Sequence, residues 1–171
     1  MADLASFIRD IPDFPKPGII FKDITPLLKS PEATAEAASV MADPFRNSGV
    51  EAVAGVESRG FIFGALVARE LGVGFIPVRK PGKLPAETVS ASYELEYGTD
   101  SVEIHKDAFD KGQKVLLVDD LLATGGTMGA TVRLVEGLEG CIVGISFLVE
   151  LAFLDGRSKL GNHKVVSILT Y

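Results

Sequence analysis

The sequence predicts an α/β fold in which a twisted, mainly parallel sheet is flanked by helices. Mostly apolar runs, each long enough for one buried strand, recur at residues 52–56, 73–78, 115–118, 142–149 and 165–169. Stretches with helical patterning separate several of these runs. Polar or glycine-containing turns follow the runs, where the carboxyl ends of parallel strands would lie. That edge of the sheet is where α/β folds bind ligands.

Length and composition indicate one folded domain spanning residues 1–171, with 47% hydrophobic residues. The N-terminus lacks the features of a signal peptide, and no apolar run reaches transmembrane length. A single cysteine, Cys141, excludes an internal disulfide and fits a cytoplasmic protein; we expect its side chain to be packed rather than reactive. The net charge of −6 argues against nucleic acid as a partner.

The N-terminal part of the chain is irregular in pattern. Residues 3–9 predict a short helix, whereas residues 11–24 hold three prolines and a glycine that exclude a regular helix. The apolar residues of this second stretch predict a packed segment without regular structure, either an arm over the core or a dimer contact. Residues 31–44 then predict an Ala-rich scaffold helix capped by Ser30.

Two turns carry cations. Arg59 follows the first predicted strand of the sheet and precedes an apolar helix, a position suited to phosphate or pyrophosphate; an arginine at the rim of a loop explains it equally well. Arg79, Lys80 and Lys83 follow the next strand and would supply the local positive field that an acidic chain needs to hold a polyanion. A solvated basic turn is the alternative.

Residues 89–104 alternate apolar and polar side chains on both sides of a break at residues 98–100. This pattern predicts a β-hairpin with a three-residue connection. The hairpin lies between the basic turn and the central strand in the chain, so it can project over the sheet edge as a lid. A solubilising edge hairpin is the alternative.

The most informative stretch is residues 115–127. Its apolar run predicts a strand, buried on both faces, that ends where Asp119 and Asp120 begin, and a Thr-Gly-Gly-Thr turn then opens a helix. The helix has an inward face of Met128, Val132 and Val135 and an outward face of Thr131, Arg133 and Glu136.

The turn and the carboxylates predict different parts of one ligand. Free N–H groups, hydroxyls and the helix dipole form an anion site, and the glycines let a phosphate approach the backbone. Ionised Asp119 and Asp120 would repel a phosphate, so they face hydroxyls or a cation. A sugar phosphate with vicinal hydroxyls and a bound Mg²⁺ meets these demands. A strand-end acidic turn followed by a helix cap is the alternative.

The sequence VLLVDDLLATGGT at residues 115–127 closely resembles the signature of the type I phosphoribosyltransferases. In that family two acidic residues hold the ribose hydroxyls of phosphoribosyl pyrophosphate, and the following loop cradles its 5′-phosphate. The resemblance therefore implies ribose contacts for Asp119 and Asp120. The residues implied for the 5′-phosphate are Ala123, Thr124, Gly125, Gly126 and Thr127.

FPKPGIIFKDI at residues 14–24 is similar to the hood (here about residues 1–30) with which the adenine phosphoribosyltransferases cover the base. This implies adenine contacts for the backbone of Ile20 and Lys22, the ring of Phe21, and Arg59. The 57–60 turn, in which relatives often have a cis peptide bond, and RKPGKLP resemble the pyrophosphate segments. The implied pyrophosphate-binding residues are Ser58, Arg59, Arg79, Lys80, Lys83 and Tyr97.

ASYELEYG at residues 91–98 resembles the mobile catalytic loop of that family, which implies a catalytic role for Glu96 within a basic turn and lid at about residues 80–105. The implied reaction is purine salvage: adenine and phosphoribosyl pyrophosphate give AMP and pyrophosphate through an oxocarbenium-like displacement at ribose C1. The resemblance also implies Mg²⁺ brought by the substrate near Asp119 and Asp120, small-molecule substrates without nucleic acid or membrane partners, and a homodimer. Alternatives are a hypoxanthine or xanthine enzyme and a transcriptional regulator that senses ligands.

Overall fold

The computed structural model describes residues 3–95 and 98–171. Its strands are β1 (Arg9–Pro12), β2 (Ile20–Asp23), β3 (Ala52–Val56), β4 (Gly74–Val78), β5 (Thr88–Glu94), β6 (Thr99–His105), β7 (Lys114–Leu122), β8 (Cys141–Glu150) and β9 (Val165–Thr170). Its α-helices are α1 (Thr25–Lys29), α2 (Pro31–Ala42), α3 (Gly60–Leu71) and α4 (Gly126–Gly137). Short 3₁₀ helices occupy Leu4–Phe7, Asp43–Phe45, Ala152–Leu154 and Gly156–Lys159.

The described residues form one five-stranded sheet in the order β4-β3-β7-β8-β9, and every neighbouring pair in it is parallel. The central strand β7 alternates its side chains between two cores. Val115 and Leu117 pack on the face covered by α4 and by the β5–β6 hairpin. Leu116 and Val118 pack on the face covered by α2 and α3. The predicted α/β fold is confirmed, and the long apolar runs reflect strands buried on both faces.

Strand β7 is longer than predicted. It continues through Asp119 and Asp120 to Leu122, because β8 runs alongside and pairs Asp119 with Phe147 and Leu122 with Glu150. The two carboxylates therefore belong to the paired strand itself, whereas the sequence predicted that the strand ends just before them.

Helix α4 buries one residue that was expected to face outward. Arg133 and Glu136 are exposed as predicted, but Thr131 is fully buried. The prediction for Thr131 was wrong because its hydroxyl donates to the carbonyl of Thr127, 2.9 Å away in the same helix. A hydroxyl satisfied in this way can be buried at little cost.

The hairpin, which we call the lid ribbon (β5 and β6), has a different connection from the predicted one. Thr99 already belongs to β6 and pairs with Glu94, so residues 98–100 are not the connection. The N–H of Leu95 donates to the carbonyl of Gly98 at 2.9 Å and closes a four-residue connection at 95–98. Residues 96 and 97 of that connection lie outside the described residues.

The N-terminal segment is more regular and more exposed than predicted. β1 and β2 pair as an antiparallel two-stranded ribbon, which we call the hood ribbon. Phe14 and Ile20 are 51% and 55% exposed, so the expectation that these apolar residues are packed was wrong. A two-stranded ribbon outside the main sheet has no second layer to cover both of its faces.

Cys141 is exposed, contrary to the expectation of a packed side chain. It is the first residue of β8, at the amino end of the sheet, where the strand enters from the surface. Among the described residues, none of the helices combines the length and the apolar character needed to cross a lipid bilayer.

Candidate active site

The carboxyl end of β7 meets the N-terminus of α4 at what we call the β7–α4 corner (Asp119, Asp120 and residues 123–127). Gly125 precedes the helix with φ +76°, a left-handed conformation that favours glycine, and within residues 3–95 and 98–171 no side chain caps the helix. The N–H groups of the first turn are thus available to an anion. A cavity of about 80 Å³ is lined by all five predicted phosphate residues, 123–127, and by Asp119.

The glycines of this corner are required by protein contacts as well as by the expected phosphate. A Cβ on Gly125 would lie 2.2 Å from the carbonyl oxygen of Gly156, and a Cβ on Gly126 would lie 2.9 Å from the ring of Tyr93. Gly125 therefore permits the turn to pack against the loop after β8. Gly126 permits the lid ribbon to rest on the first turn of α4.

The two carboxylates are enclosed. Asp120 is only 5% exposed, and its N–H donates to Asp119 Oδ1 at 2.9 Å. Burial raises the pKa of Asp119 well above its usual value, and the neighbouring charge of Asp120 raises it further. Burial also raises the pKa of Asp120, an effect that the positive charge of Arg59 opposes. A cation or hydroxyl donors arriving at this pair would relieve an unfavourable burial of charge.

Arg59 connects the corner to the hood. Its Nε lies 2.9 Å from Asp120 Oδ2, and its guanidinium carbon lies 5.2 Å from the centre of the Phe21 ring. Within the described residues, Asp120 Oδ2 has no hydrogen-bond partner, so the contact with Nε is a charge pair without a directed hydrogen bond. The structure thus brings together three predicted residues that lie on β2, in the β3–α3 turn and on β7.

The hood ribbon leaves one backbone edge of β2 open. Ile20 pairs with Pro12, which has no N–H, so this pair cannot exchange two hydrogen bonds. The alternation of an antiparallel ladder then makes Ile11 and Phe21 the doubly bonded pair. The carbonyl of Ile20 and the N–H of Lys22 consequently face away from β1. These are the two backbone groups predicted to contact the base.

The side chain of Lys22 takes no part in that edge. Its Nζ donates to Asp10 at 2.7 Å and lies 3.8 Å from the centre of the Tyr171 ring. The side chain therefore ties β2 to β1 and to the end of the described chain, and its backbone remains the part available to a ligand.

The basic turn is organised by a residue that the sequence did not single out. Glu57 precedes Ser58 through a cis peptide bond, and its carboxylate accepts from Arg79 Nε at 2.9 Å, from the N–H of Lys80 at 3.0 Å and from Lys83 Nζ at 2.6 Å. Burial alone would raise the pKa of Glu57, but these donors outweigh it and lower the pKa. The side chains of Arg79 and Lys83 are thus ordered around one largely enclosed carboxylate while remaining partly exposed.

Lys80 is held by the lid ribbon. Its Nζ donates to the hydroxyl of Tyr93 at 2.6 Å and to the carboxylate of Asp100. Burial of Lys80 would lower its pKa, but these two partners outweigh it and raise the pKa. The predicted residues Glu96 and Tyr97 lie outside the described residues.

Comparisons with known proteins identify the family of this chain. A family model described as "Phosphoribosyl transferase domain" matches residues 23–168. An adenine phosphoribosyltransferase of Halothermothrix orenii is 57% identical to this chain over 98% of each sequence. The chain belongs to the adenine phosphoribosyltransferase family.

Solved structures of the adenine phosphoribosyltransferase family share the fold over almost the whole chain. The enzyme of Thermoanaerobacter pseudethanolicus superposes with a TM-score of 0.96 at 56% identity, covering 99% of this chain and 98% of that one. The Saccharomyces cerevisiae enzyme, complexed with adenine and an imino-altritol bisphosphate, superposes with a TM-score of 0.92 at 43% identity, covering 98% and 97%.

Four residues that hold predicted site residues in place were not identified from the sequence. They are Glu57, which binds Arg79 and Lys83; Tyr93 and Asp100, which bind Lys80; and Asp10, which binds Lys22. A signal existed for Tyr93. It lies on the apolar face of the alternating lid pattern, and a buried tyrosine hydroxyl usually finds a partner. No sequence signal identified the other three, because their partners lie on other elements.

Proposed function

We propose that this chain transfers the phosphoribosyl group of phosphoribosyl pyrophosphate to adenine, giving AMP and pyrophosphate in purine salvage. One observation carries the proposal: the uncapped turn of the β7–α4 corner lies beside the buried Asp120 and the half-buried Asp119, and Arg59 links Asp120 to the open edge of the hood ribbon. Such a site offers separate groups for a phosphate, for sugar hydroxyls and for a planar base.

The corner divides the phosphorylated sugar between two kinds of group. The 5′-phosphate would accept hydrogen bonds from N–H groups of residues 124–127 at the positive end of α4. Asp119 and Asp120 would accept from the ribose hydroxyls. Because both residues belong to the paired strand β7 and Asp120 is buried, they would also stabilise positive charge on the ring without reorganising during the reaction.

The open edge of β2 favours adenine over 6-oxopurines. The carbonyl of Ile20 is available to accept a hydrogen bond and the N–H of Lys22 is available to donate one. Adenine presents a complementary amino donor and ring-nitrogen acceptor at its Watson–Crick edge. Hypoxanthine and xanthine present an oxygen and a ring N–H there, which would place acceptor against acceptor and donor against donor. Phe21 would stack on the ring.

Binding of Mg²⁺ is part of the proposal, and the side chains of Asp119 and Asp120 are of a type that suits this ion. Asp119 and Asp120 supply hard carboxylate oxygens, one of which has no hydrogen-bond partner among the described residues. Mg²⁺ needs more oxygens than two such side chains offer, so the substrate and water would complete its shell. When bound, the ion would offset the charge of the departing pyrophosphate. Arg79, Lys80 and Lys83 would bind that pyrophosphate, and Ser58 and Tyr97 are proposed to contact it.

The proposed reaction breaks the bond between ribose C1 and the pyrophosphate oxygen while a purine ring nitrogen bonds to C1. The ring becomes oxocarbenium-like, as in glycoside cleavage. The purine loses a proton, which we assign to Glu96 on the closing lid. Closure also matters because water would otherwise attack the same carbon. The homodimer and the cytoplasmic location remain predictions.

The test is a turnover assay with adenine, hypoxanthine, guanine and xanthine, each supplied with phosphoribosyl pyrophosphate and Mg²⁺. We expect AMP and pyrophosphate from adenine and at least about 100-fold lower turnover with the other bases, because a mismatched polar edge leaves buried groups unpaired. Faster turnover with a 6-oxopurine would overturn the assignment of adenine. Binding of adenine or phosphoribosyl pyrophosphate without pyrophosphate release would favour a ligand sensor.

A further inference from the structure

Three side chains form a closed hydrogen-bonded triangle near the turn end of the lid ribbon, one residue pair before the 95–98 connection. Tyr93 on β5 and Asp100 on β6 are direct cross-strand partners, and the Tyr93 hydroxyl donates to Asp100 Oδ2 at 3.0 Å. Lys80, from the basic turn, donates to that hydroxyl at 2.6 Å and to the same carboxylate oxygen. Tyr93 is only 8% exposed, whereas about a third of the side chains of Lys80 and Asp100 remains accessible from the basic turn.

The triangle leaves Lys80 with hydrogen-bonding capacity. An ammonium group has three N–H donors, and the contacts with Tyr93 and Asp100 use two of them. The remaining donor can reach an anion while the other two fix the orientation of the group. A lysine side chain otherwise has several freely rotating bonds, and it loses that freedom whenever it binds a ligand.

The same ribbon also contacts the phosphate turn. The ring of Tyr93 packs so closely on Gly126 that a Cβ at Gly126 would lie 2.9 Å from it. On its other side, the ribbon exchanges backbone hydrogen bonds between Arg79 and Glu103, at 2.9 Å and 2.7 Å. Tyr93 therefore touches the first residue of α4 with its ring and the basic turn with its hydroxyl.

We propose that Asp100 and Tyr93 are positioning residues that hold the Lys80 ammonium ready for the pyrophosphate of phosphoribosyl pyrophosphate, and that they also anchor the turn end of the lid ribbon between the two anion-binding turns. This inference rests on the proposed function and extends it, since neither residue touches the substrate itself. Both act through Lys80, and Tyr93 acts in addition through Gly126.

The first test is Asp100→Asn, which keeps the shape of the side chain and removes its charge. The KM for phosphoribosyl pyrophosphate should rise about tenfold, the loss expected for one charge-assisted hydrogen bond, while the KM for adenine stays unchanged and kcat stays within about twofold. Tyr93→Phe, which retains the ring over Gly126, should raise the same KM about threefold. Asp100→Glu should restore part of the loss.

The matched control is Glu87→Gln. Glu87 forms an exposed ion pair with Lys106 at 3.0 Å, at the opposite end of the same ribbon. The variant removes a lysine–carboxylate pair from the ribbon without touching the triangle. Its KM for phosphoribosyl pyrophosphate should equal that of the wild type.

A direct binding measurement separates positioning from a merely structural role. The Kd of Mg²⁺-pyrophosphate, measured by calorimetry, should rise about tenfold in Asp100→Asn, while the Kd of AMP should not change. An unchanged or lower KM and Kd, or a loss of kcat and thermal stability alone, would overturn the positioning role. A wild-type protein that makes no AMP would instead overturn the proposed function.

Discussion

The β7–α4 corner and the two ribbons are built in opposite ways. The corner grows from a strand that is hydrogen-bonded on both sides within the parallel sheet and buried on both faces. The hood ribbon and the lid ribbon each have two strands and depend on side-chain contacts to stay in place. Lys22 with Asp10 ties the strands of the hood ribbon together, and Lys80 with Asp100 ties the lid ribbon to the basic turn.

This contrast assigns different tasks to different kinds of structure. The edge of a buried sheet is rigid enough to keep carboxylates in place although removing them from water is unfavourable. Such an edge suits the part of the substrate that must be held fixed, the phosphorylated sugar. A two-stranded ribbon is marginally stable by itself, so the exposed hood ribbon can move at low cost, which suits the entry of the base. The lid ribbon is held more firmly, because Val102 and Ile104 are fully buried in the core cluster that contains α4 residues.

The largest expected effect tests the lid ribbon. Glu96→Gln should lower kcat by about 100-fold or more, the usual contribution of a positioned acid or base, without changing the far-UV circular dichroism spectrum. Glu94→Gln, two residues earlier on the same strand pattern, should stay within about twofold of the wild type, because general acid–base catalysis needs contact with the reacting proton. Unchanged turnover in Glu96→Gln would remove Glu96 from the mechanism.

The next effect tests the rigidity of the corner. Gly125→Ala should lower the free energy of unfolding by about 2–4 kcal/mol, because it combines a strained backbone with a backbone clash. The clash is the 2.2 Å approach of a Cβ to the carbonyl oxygen of Gly156. Urea unfolding measures the change. Gly137→Ala, where a Cβ meets nothing within 4 Å, should be neutral or slightly stabilising. Equal stability of the two variants would show that the corner is not tightly packed.

A smaller effect, a gain in stability rather than a loss, tests the carboxylates of the corner. The pKa of Asp119 is higher in the folded protein than in the unfolded chain, where it is near 3.8. Ionisation of Asp119 therefore lowers the free energy of unfolding as the pH rises above 3.8. Asp119→Asn should therefore unfold at a higher temperature than the wild type at pH 7, although it should use phosphoribosyl pyrophosphate poorly. The difference in Tm should shrink as the pH falls toward 4. A variant less stable than the wild type at pH 7 would contradict the predicted cost of burial.

The smallest effect tests the hood ribbon. Asp23 accepts hydrogen bonds from the N–H of Thr25 and from Arg9, which lower its pKa to about 2. Ionised Asp23 therefore stabilises the folded protein at pH values above its usual pKa of 3.8, and this stabilisation is lost as the pH falls toward 2. Asp23→Asn should raise the KM for adenine by about two- to threefold and leave that for phosphoribosyl pyrophosphate unchanged. The reverse pattern would mean that the ribbon does not serve the base.

The sequence predicted the elements whose pattern is set locally. Buried parallel strands have continuous apolar runs, so β3, β4, β7, β8 and β9 were found, and Ser30 identified the start of α2 because its side chain accepts from the N–H of Ala33. The sheet edge followed from these strands. The contact between Arg59 and Asp120 at that edge was not predicted and emerges from the structure.

The features that were missed depend on partners far away in the chain. β7 extends past Asp119 because β8 continues beside it, which no local pattern reveals. Glu57 is indistinguishable from a surface acid until the basic turn folds around it. Phe14 was expected inside because its type is apolar, but the hood ribbon has no layer above it.

The most direct test is a crystal structure with phosphoribosyl pyrophosphate or AMP bound. Our account predicts the 5′-phosphate on the N–H groups of residues 124–127 and the ribose hydroxyls on Asp119 and Asp120. With AMP, the adenine should lie against Phe21, with its edge on the backbone of Ile20 and Lys22. A ligand bound elsewhere, with the β7–α4 corner empty, would contradict it.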